Sequence, residues 1–299
     1  MGWISDLWAD IASGDYLFVA ALALLLGFVL WRLYWAIFRS GEFRPAKRLS
    51  GLTFQIGLTL IMERLYEFAR AHVAVDQLTA LAYSNGSKIA DFEITHGFFF
   101  EQGLERLFLP DTLLMHAIYG FYAFAHLFVT LGFLVWLYLR RNEYFSFVRN
   151  LFYATTGVAL IVYMVFPTAP PRSFTNFGFV DPAVLLGISP PGGLPASQQM
   201  YNPYAAMPSL HMVYALIVGA TLVAIGRHWW LRLAGAVYPV VMLAVVLISA
   251  NHWILDACGS VVVVAGCTLI LAALRFMVRQ LPQFAPLLVA PVRRLSSSA

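Results

Sequence analysis

His252 and Asp256 stand four residues apart. On the first turns of a helix that spacing puts both on one face, where the carboxylate accepts the imidazole Nδ1 proton. The tautomer is then fixed and Nε2 is left as a basic nucleophile. Ser209 follows Pro208 where an N-cap belongs, and free amides at a helix start bind anions. His211, two residues further on, is suited to protonate a leaving alkoxide, and Arg172 offers a planar fork that fits phosphate oxygens. A His-x-x-x-Asp pair alone also suits a proton relay or half of a metal site. No third His or carboxylate stands at ligand spacing, so neither a metal nor a cofactor is expected. Cys258 and Cys267 lie nine apart, on opposite faces of one helix, and do not pair.

The elements that carry these residues follow from composition. Of 299 residues, 61% are hydrophobic and 11% charged, far below the roughly 25% charged of a soluble domain. The pattern predicts an all-α, polytopic transmembrane bundle. Apolar runs at 16–38, 51–69, 113–139, 147–166, 209–226, 231–250 and 253–277 give about seven spans, each near the ~20 residues that cross a bilayer. There is no internal repeat, so residues 1–299 are expected to form a single membrane domain, with a tail at 280–299 whose Pro and Ser content predicts disorder. Asp6, Asp10 and Asp15 precede the first run and a basic cluster follows it, which predicts a retained helix rather than a cleaved signal.

Cations set the orientation. With the N-terminus outside, thirteen of the nineteen Lys and Arg residues, among them Arg44, Lys47, Arg140 and Arg141, fall in inner segments. The positive-inside rule therefore predicts N-out, C-in, and accounts for the net charge of +4 without nucleic acid as a partner. Arg172, the Pro208-Ser209-Leu210-His211 run and the Asn251-His252 turn then all lie on the outer face, which helix parity assembles into one candidate site. Two outer segments accompany it. Residues 71–111 carry Ile89, Phe92, His96, Phe99, Phe100, Leu104 and Leu107 at spacings of three and four, with Asp91, Glu101 and Glu105 between them, which predicts one or two interfacial amphipathic helices. Residues 167–207 hold eight of the fifteen prolines and are expected to form a long functional loop.

These motifs resemble the signature of the type 2 phosphatidate phosphatase superfamily, lipid phosphatases and phosphotransferases with the pattern Lys-x6-Arg-Pro, Pro-Ser-Gly-His and Ser-Arg-x5-His-x3-Asp. Arg172 matches the first element, Pro208, Ser209 and His211 the second, His252 and Asp256 the third, and the resemblance covers about 147–277. It implies a phosphorylated nucleophile at His252 oriented by Asp256, a general acid and base at His211, and phosphate contacts from Arg172 and Ser209. Val165, Ser173, Leu210 and the Val245-Val246 pair replace family residues, removing two of three phosphate cations. The variant wording Pro-Thr-Ala-Pro-Pro-Arg, Met-Pro-Ser-Leu-His and Ala-Asn-His is similar to the branch of inositol phosphorylceramide synthases, whose diester donor carries less charge than a monoester.

The resemblance implies a phosphohistidine enzyme with a phospholipid donor and a lipid or alcohol acceptor, and with the cation count the site is expected on the extracytoplasmic face of the plasma membrane. A lipid phosphate monoesterase is the neighbouring reading and a proton-coupled transporter the reading from another class; a transporter should show related halves, which the sequence lacks. Asn251, beside His252, is a further candidate for phosphate binding. Candidates for headgroup recognition are Glu63 and Glu67 in the second run, His96 in the outer segment, and Tyr122 and His126 on one face of the third. An ion pair at Glu63–Glu67 and a buried hydrogen bond at His126 are the structural alternatives.

Overall fold

The computed structural model describes Gln55, residues 75–187 and residues 204–280. The expected run at 16–38, nearly all of that at 51–69, residues 188–203 of the Pro-rich loop and the tail beyond Gln280 lie outside the described residues, and so do Glu63 and Glu67. The rest is helical. α1 (Val75–His96), α2 (Glu101–Phe108) and α3 (Thr112–Gly120) are followed by a π turn (Phe121–Ala125), α4 (His126–Arg140) and α5 (Asn142–Val165). Two 3-10 turns at Pro171–Ser173 and Thr175–Phe177 and the short α6 (Pro182–Leu185) precede α7 (Leu210–Ile225), α8 (Trp229–Ile248) and α9 (Ile254–Gln280). Among the described residues there is no strand, only an isolated parallel bridge between Thr168 and Ala205.

Three of these helices, α5, α8 and α9, are long and apolar enough to cross a membrane. α3 and α4 make a fourth if taken as one span bent by 43°. The expected run at 113–139 thus bends at the π turn, which carries Tyr122. α7 has 16 residues, about 24 Å at 1.5 Å each, and is shorter than the run that predicts it. Ser209 caps one end and Gly226 the other, so capping rather than hydropathy sets its length.

α7 is the centre of the bundle and packs on α4, α5, α8 and α9. Phe133 and Leu137 of α4, Phe152 of α5, and Val213 and Ile217 of α7 share one buried cluster. The α7–α8 contact is backbone-close. Pro239 lacks the N–H that would bond the Gly235 carbonyl, and that oxygen faces Gly219, where a Cβ would sit 2.5 Å from it. Glycine at 219 lets the helices meet at a distance no larger residue permits.

α1 and α2 lie over the ends of α8 and α9 with an inverted pattern. Glu93, Glu101 and Glu105 are fully buried, whereas Phe92, Phe100 and Leu107 are exposed. The sequence expectation grouped Phe92, Phe100 and Leu107 with Ile89, Phe99 and Leu104 on one apolar face; the structure divides them, burying Ile89, packing Phe99 and Leu104 against the core and turning Phe92, Phe100 and Leu107 outward. In a chain bounded by lipid an outward apolar side chain carries no hydration cost, and buried carboxyls find donors only inward. Gly86 of α1 is pressed against the loop after α5, where a Cβ would lie 2.6 Å from the Phe174 ring and 2.9 Å from the Ala169 carbonyl.

Candidate active site

Three chain turns meet under α1 and α2. The first follows α5, where Pro167 ends the helix and Thr168 bridges to the segment before α7 through Thr168 N–H to Tyr204 O at 2.8 Å. The second is that segment, fixed by the Tyr163 hydroxyl donating to Pro208 O at 2.7 Å. The third is the α8–α9 turn, in which Ala250 takes φ 51° and directs Asn251 and His252 back under the cover. Arg172 N–H donates to Ala250 O at 3.0 Å, joining the first turn to the third. The Trp253 indole donates to Ala169 O at 2.9 Å, and its fully buried ring packs against Phe174 and Phe179.

His252 is almost wholly buried. Its Nδ1 lies 2.9 Å from the Ala206 carbonyl and 3.3 Å from Asp256 Oδ2. A carbonyl oxygen only accepts, so Nδ1 carries the proton and Nε2 keeps the lone pair. The partner expected from spacing is present, joined by a backbone acceptor that spacing does not reveal. Asp256 Oδ2 also accepts the Trp253 amide at 2.9 Å, and Asp256 Oδ1 is buried with no hydrogen-bond partner among the described residues.

Ser209 caps α7, its hydroxyl accepting the Met212 amide at 3.4 Å. Ser260 of α9 donates to Ser209 O at 2.9 Å and the Ser209 amide meets Asp256 O at 3.4 Å, tying the start of α7 to that of α9. His211 on the first turn of α7 has its ring centroid 6.0 Å from that of His252. Tyr122, presented by the π turn, stacks on His211 at 4.0 Å and 22° and lies 6.4 Å from His252. The Arg172 guanidinium donates to Asn251 Oδ1 and has Asp181 Oδ2 3.9 Å from its Nε.

His211, His252, Asp256, Arg172, Ser209, Pro208, Asn251 and Tyr122 are thus brought into one neighbourhood. His96 is not part of it. Its Nδ1 engages Phe92 O at 2.8 Å at the exposed end of α1, with its ring against Phe92. The side chain of His126 lies outside the described residues. Sequence reasoning missed Glu93, whose Oε1 accepts the Leu255 amide at 2.9 Å, and misread Glu101, whose Oε1 accepts the Ile254 amide at 2.6 Å. The available signal was Glu101 and Glu105 at i, i+4, an acidic stripe on an otherwise apolar rim.

Burial raises the Glu93 carboxyl well above the usual carboxylate range, with Glu101 adding to the rise and the Leu255 amide opposing it. Burial raises Glu101 as well. Glu105 is pushed up to about 7 by burial, against the Val180 amide and Arg106.

The arrangement offers a basic imidazole nitrogen, a second imidazole beside it and a guanidinium, a set suited to nucleophilic attack on an anionic centre. Residues 87–270 match the family model described as PAP2 superfamily. No curated protein and no solved structure matches.

Proposed function

The chain belongs to the PAP2 superfamily, and on that premise we propose that it is a membrane-embedded phosphotransferase that moves a phosphoinositol-type headgroup from a phospholipid to a lipid or alcohol acceptor at the extracytoplasmic face. The reading is carried by the buried His252, whose Nδ1 meets two acceptors while its ring stands 6.0 Å from that of His211.

In the first half-reaction His252 Nε2 forms a bond to phosphorus as the bond from phosphorus to the lipid alkoxide oxygen breaks. His211 gives that oxygen its proton. In the second, His211 takes the proton of the acceptor hydroxyl, whose oxygen bonds phosphorus while the N–P bond breaks and Nε2 recovers its lone pair. Arg172 and the start of α7 at Ser209 hold the non-bridging oxygens.

The choice of a diester rests on charge. Arg172 shares its guanidinium with Asn251 and lies close to Asp181, and Val165, Val245 and Val246 stand where the family signature has cations or their neighbours. One negative charge on a diester is matched by that set; two on a monoester are not. The outer placement is supported by the cation count of the loops.

Purified protein incubated with labelled phosphatidylinositol and ceramide, and separately with labelled phosphatidate, tests this. Transfer of inositol phosphate to the acceptor supports the reading. Release of inorganic phosphate from phosphatidate alone replaces it by monoester hydrolysis. Turnover undiminished in His252→Gln overturns the phosphohistidine route.

A further inference from the structure

The helix that begins two residues after His252 and carries Asp256 has three carboxylates on its leading amides. Asp256 Oδ2 takes Trp253 N–H at 2.9 Å, Glu101 Oε1 takes Ile254 N–H at 2.6 Å and Glu93 Oε1 takes Leu255 N–H at 2.9 Å. The last two come from α2 and α1, 153 and 162 residues away in the chain. Helix N-termini are ordinarily capped from within a few residues. Here the cover does it.

Glu93 and Glu101 are fully buried. Each has one oxygen committed to an α9 amide, and the other, Oε2, has no donor among the described residues. The two side chains are within hydrogen-bonding reach of each other. A single proton shared by the two carboxyls relieves both, because a carboxylic acid donates to a carboxylate, and two buried like charges side by side are otherwise costly. The groups acting on the pair are each other's carboxyl, Asp256 from α9 and the Ile254, Leu255, Phe100 and Glu101 amides; Glu105, one turn along α2, is engaged with the Val180 amide instead.

The geometry points to Glu93 and Glu101 as positioning residues of the transfer reaction, an acid–carboxylate pair that shares one proton and clamps the start of α9 so that His252 is held in place. This rests on the reading of His252 as the nucleophile. With the proton in place, the pair adds one negative charge to that of Asp256, opposite the partial positive end of the helix. Without it, a second buried negative charge faces Asp256 at the helix start and works against the clamp that holds His252. The pair therefore ties the seat of the nucleophile to pH by a route that does not involve the substrate.

The test is the pH dependence of the His252 resonance in the full chain, labelled with 15N-histidine in detergent and assigned by its loss in His252→Gln. The wild-type signal should show an alkaline inflection as the pair loses its proton. Glu93→Gln and Glu101→Gln each put an amide N–H where the shared proton was and keep an oxygen for the α9 amide. Each should abolish that inflection while leaving the Nδ1–H tautomer unchanged. Absence of the inflection from the wild type, or its persistence in either variant, overturns the inference. The wild-type titration decides even where a variant fails to fold. Transfer activity surviving in His252→Gln would instead overturn the proposed reaction and leave the titration standing, so the two failures are distinct.

Discussion

The imidazole of His252 lies nearer the backbone carbonyl of Ala206 than the carboxylate of Asp256, 2.9 Å against 3.3 Å at Nδ1. The carbonyl alone is enough to select the Nδ1–H tautomer, which changes what each substitution should cost. His252→Gln removes the basic nitrogen and should lower kcat by about 10³-fold or more. Asp256→Asn keeps an oxygen for the Trp253 amide and leaves the Ala206 acceptor untouched, so its loss should be smaller, about 10²-fold. Equal losses in single-turnover assays would show that the carbonyl does not hold the tautomer.

Arg172 engages Asn251 through one arm and approaches Asp181 with Nε. Lysine offers a point charge in place of that fork, so Arg172→Lys should weaken inhibition by orthovanadate and lower kcat/KM by about 10-fold or more. Asp181→Asn should leave turnover within a few-fold. A lysine variant inhibited as tightly as wild type would remove Arg172 from the phosphate contacts.

Glu105 supplies a pH dependence of stability. Its carboxyl is raised from 4.5 to about 7 in the folded chain, so between those values the folded state binds more protons than the unfolded one. The stability it contributes is complete below pH 4.5 and is lost as pH rises through about 7. Glu105→Gln cannot lose that proton and should flatten this part of a Tm-versus-pH curve in detergent. An unchanged slope would show that Glu105 ionises normally.

Gly219 faces the Gly235 carbonyl and the Pro239 ring, with 2.5 Å and 2.6 Å to a built Cβ. Gly219→Ala should cost about 1–3 kcal/mol by forcing α7 and α8 apart, read as a fall in Tm, and Gly219→Val more. Gly157, with nothing within 4 Å of its Cβ position, should accept alanine without loss. Equal Tm values for the alanine variants at 219 and 157 would refute the close contact.

Asn142 and Asn176 are both exposed and lie on either side of α5, Asn142 at its first residue and Asn176 in the turns beyond its last. With Cys258 and Cys267 replaced by Ala, a cysteine at Asn176 should react with an impermeant maleimide in intact cells. One at Asn142 should react only after permeabilisation. Reversed labelling would put the site on the cytoplasmic face, and labelling of both from one side would mean that α5 does not cross.

The helices α5, α8 and α9 were legible in the sequence because each is a long apolar run, and the site motifs because they fall at the ends of such runs. The bend at Phe121–Ala125 was not legible: hydropathy is blind to a hydrogen-bond register, and the residues there are as apolar as their neighbours. Nor was the role of Ala206, which acts through a backbone carbonyl that every residue has. Glu93 and Glu101 escaped for a different reason. Their partners are amides more than 150 residues away, and the rule that carboxylates face water fails where the outside is lipid.

Ala250 holds the turn between α8 and α9 at φ 51° with its side chain fully buried. Left-handed backbone costs an L-residue roughly 1–2 kcal/mol, and β-branched side chains tolerate it least. Glycine would relieve the backbone and leave a methyl-sized void; valine, one base change from alanine in the genetic code, would add strain and bulk together. Neutral drift at position 250 therefore has few exits. Deep mutational libraries of this chain should find a narrow position there, limited to small or turn-forming residues, although it touches no reacting atom.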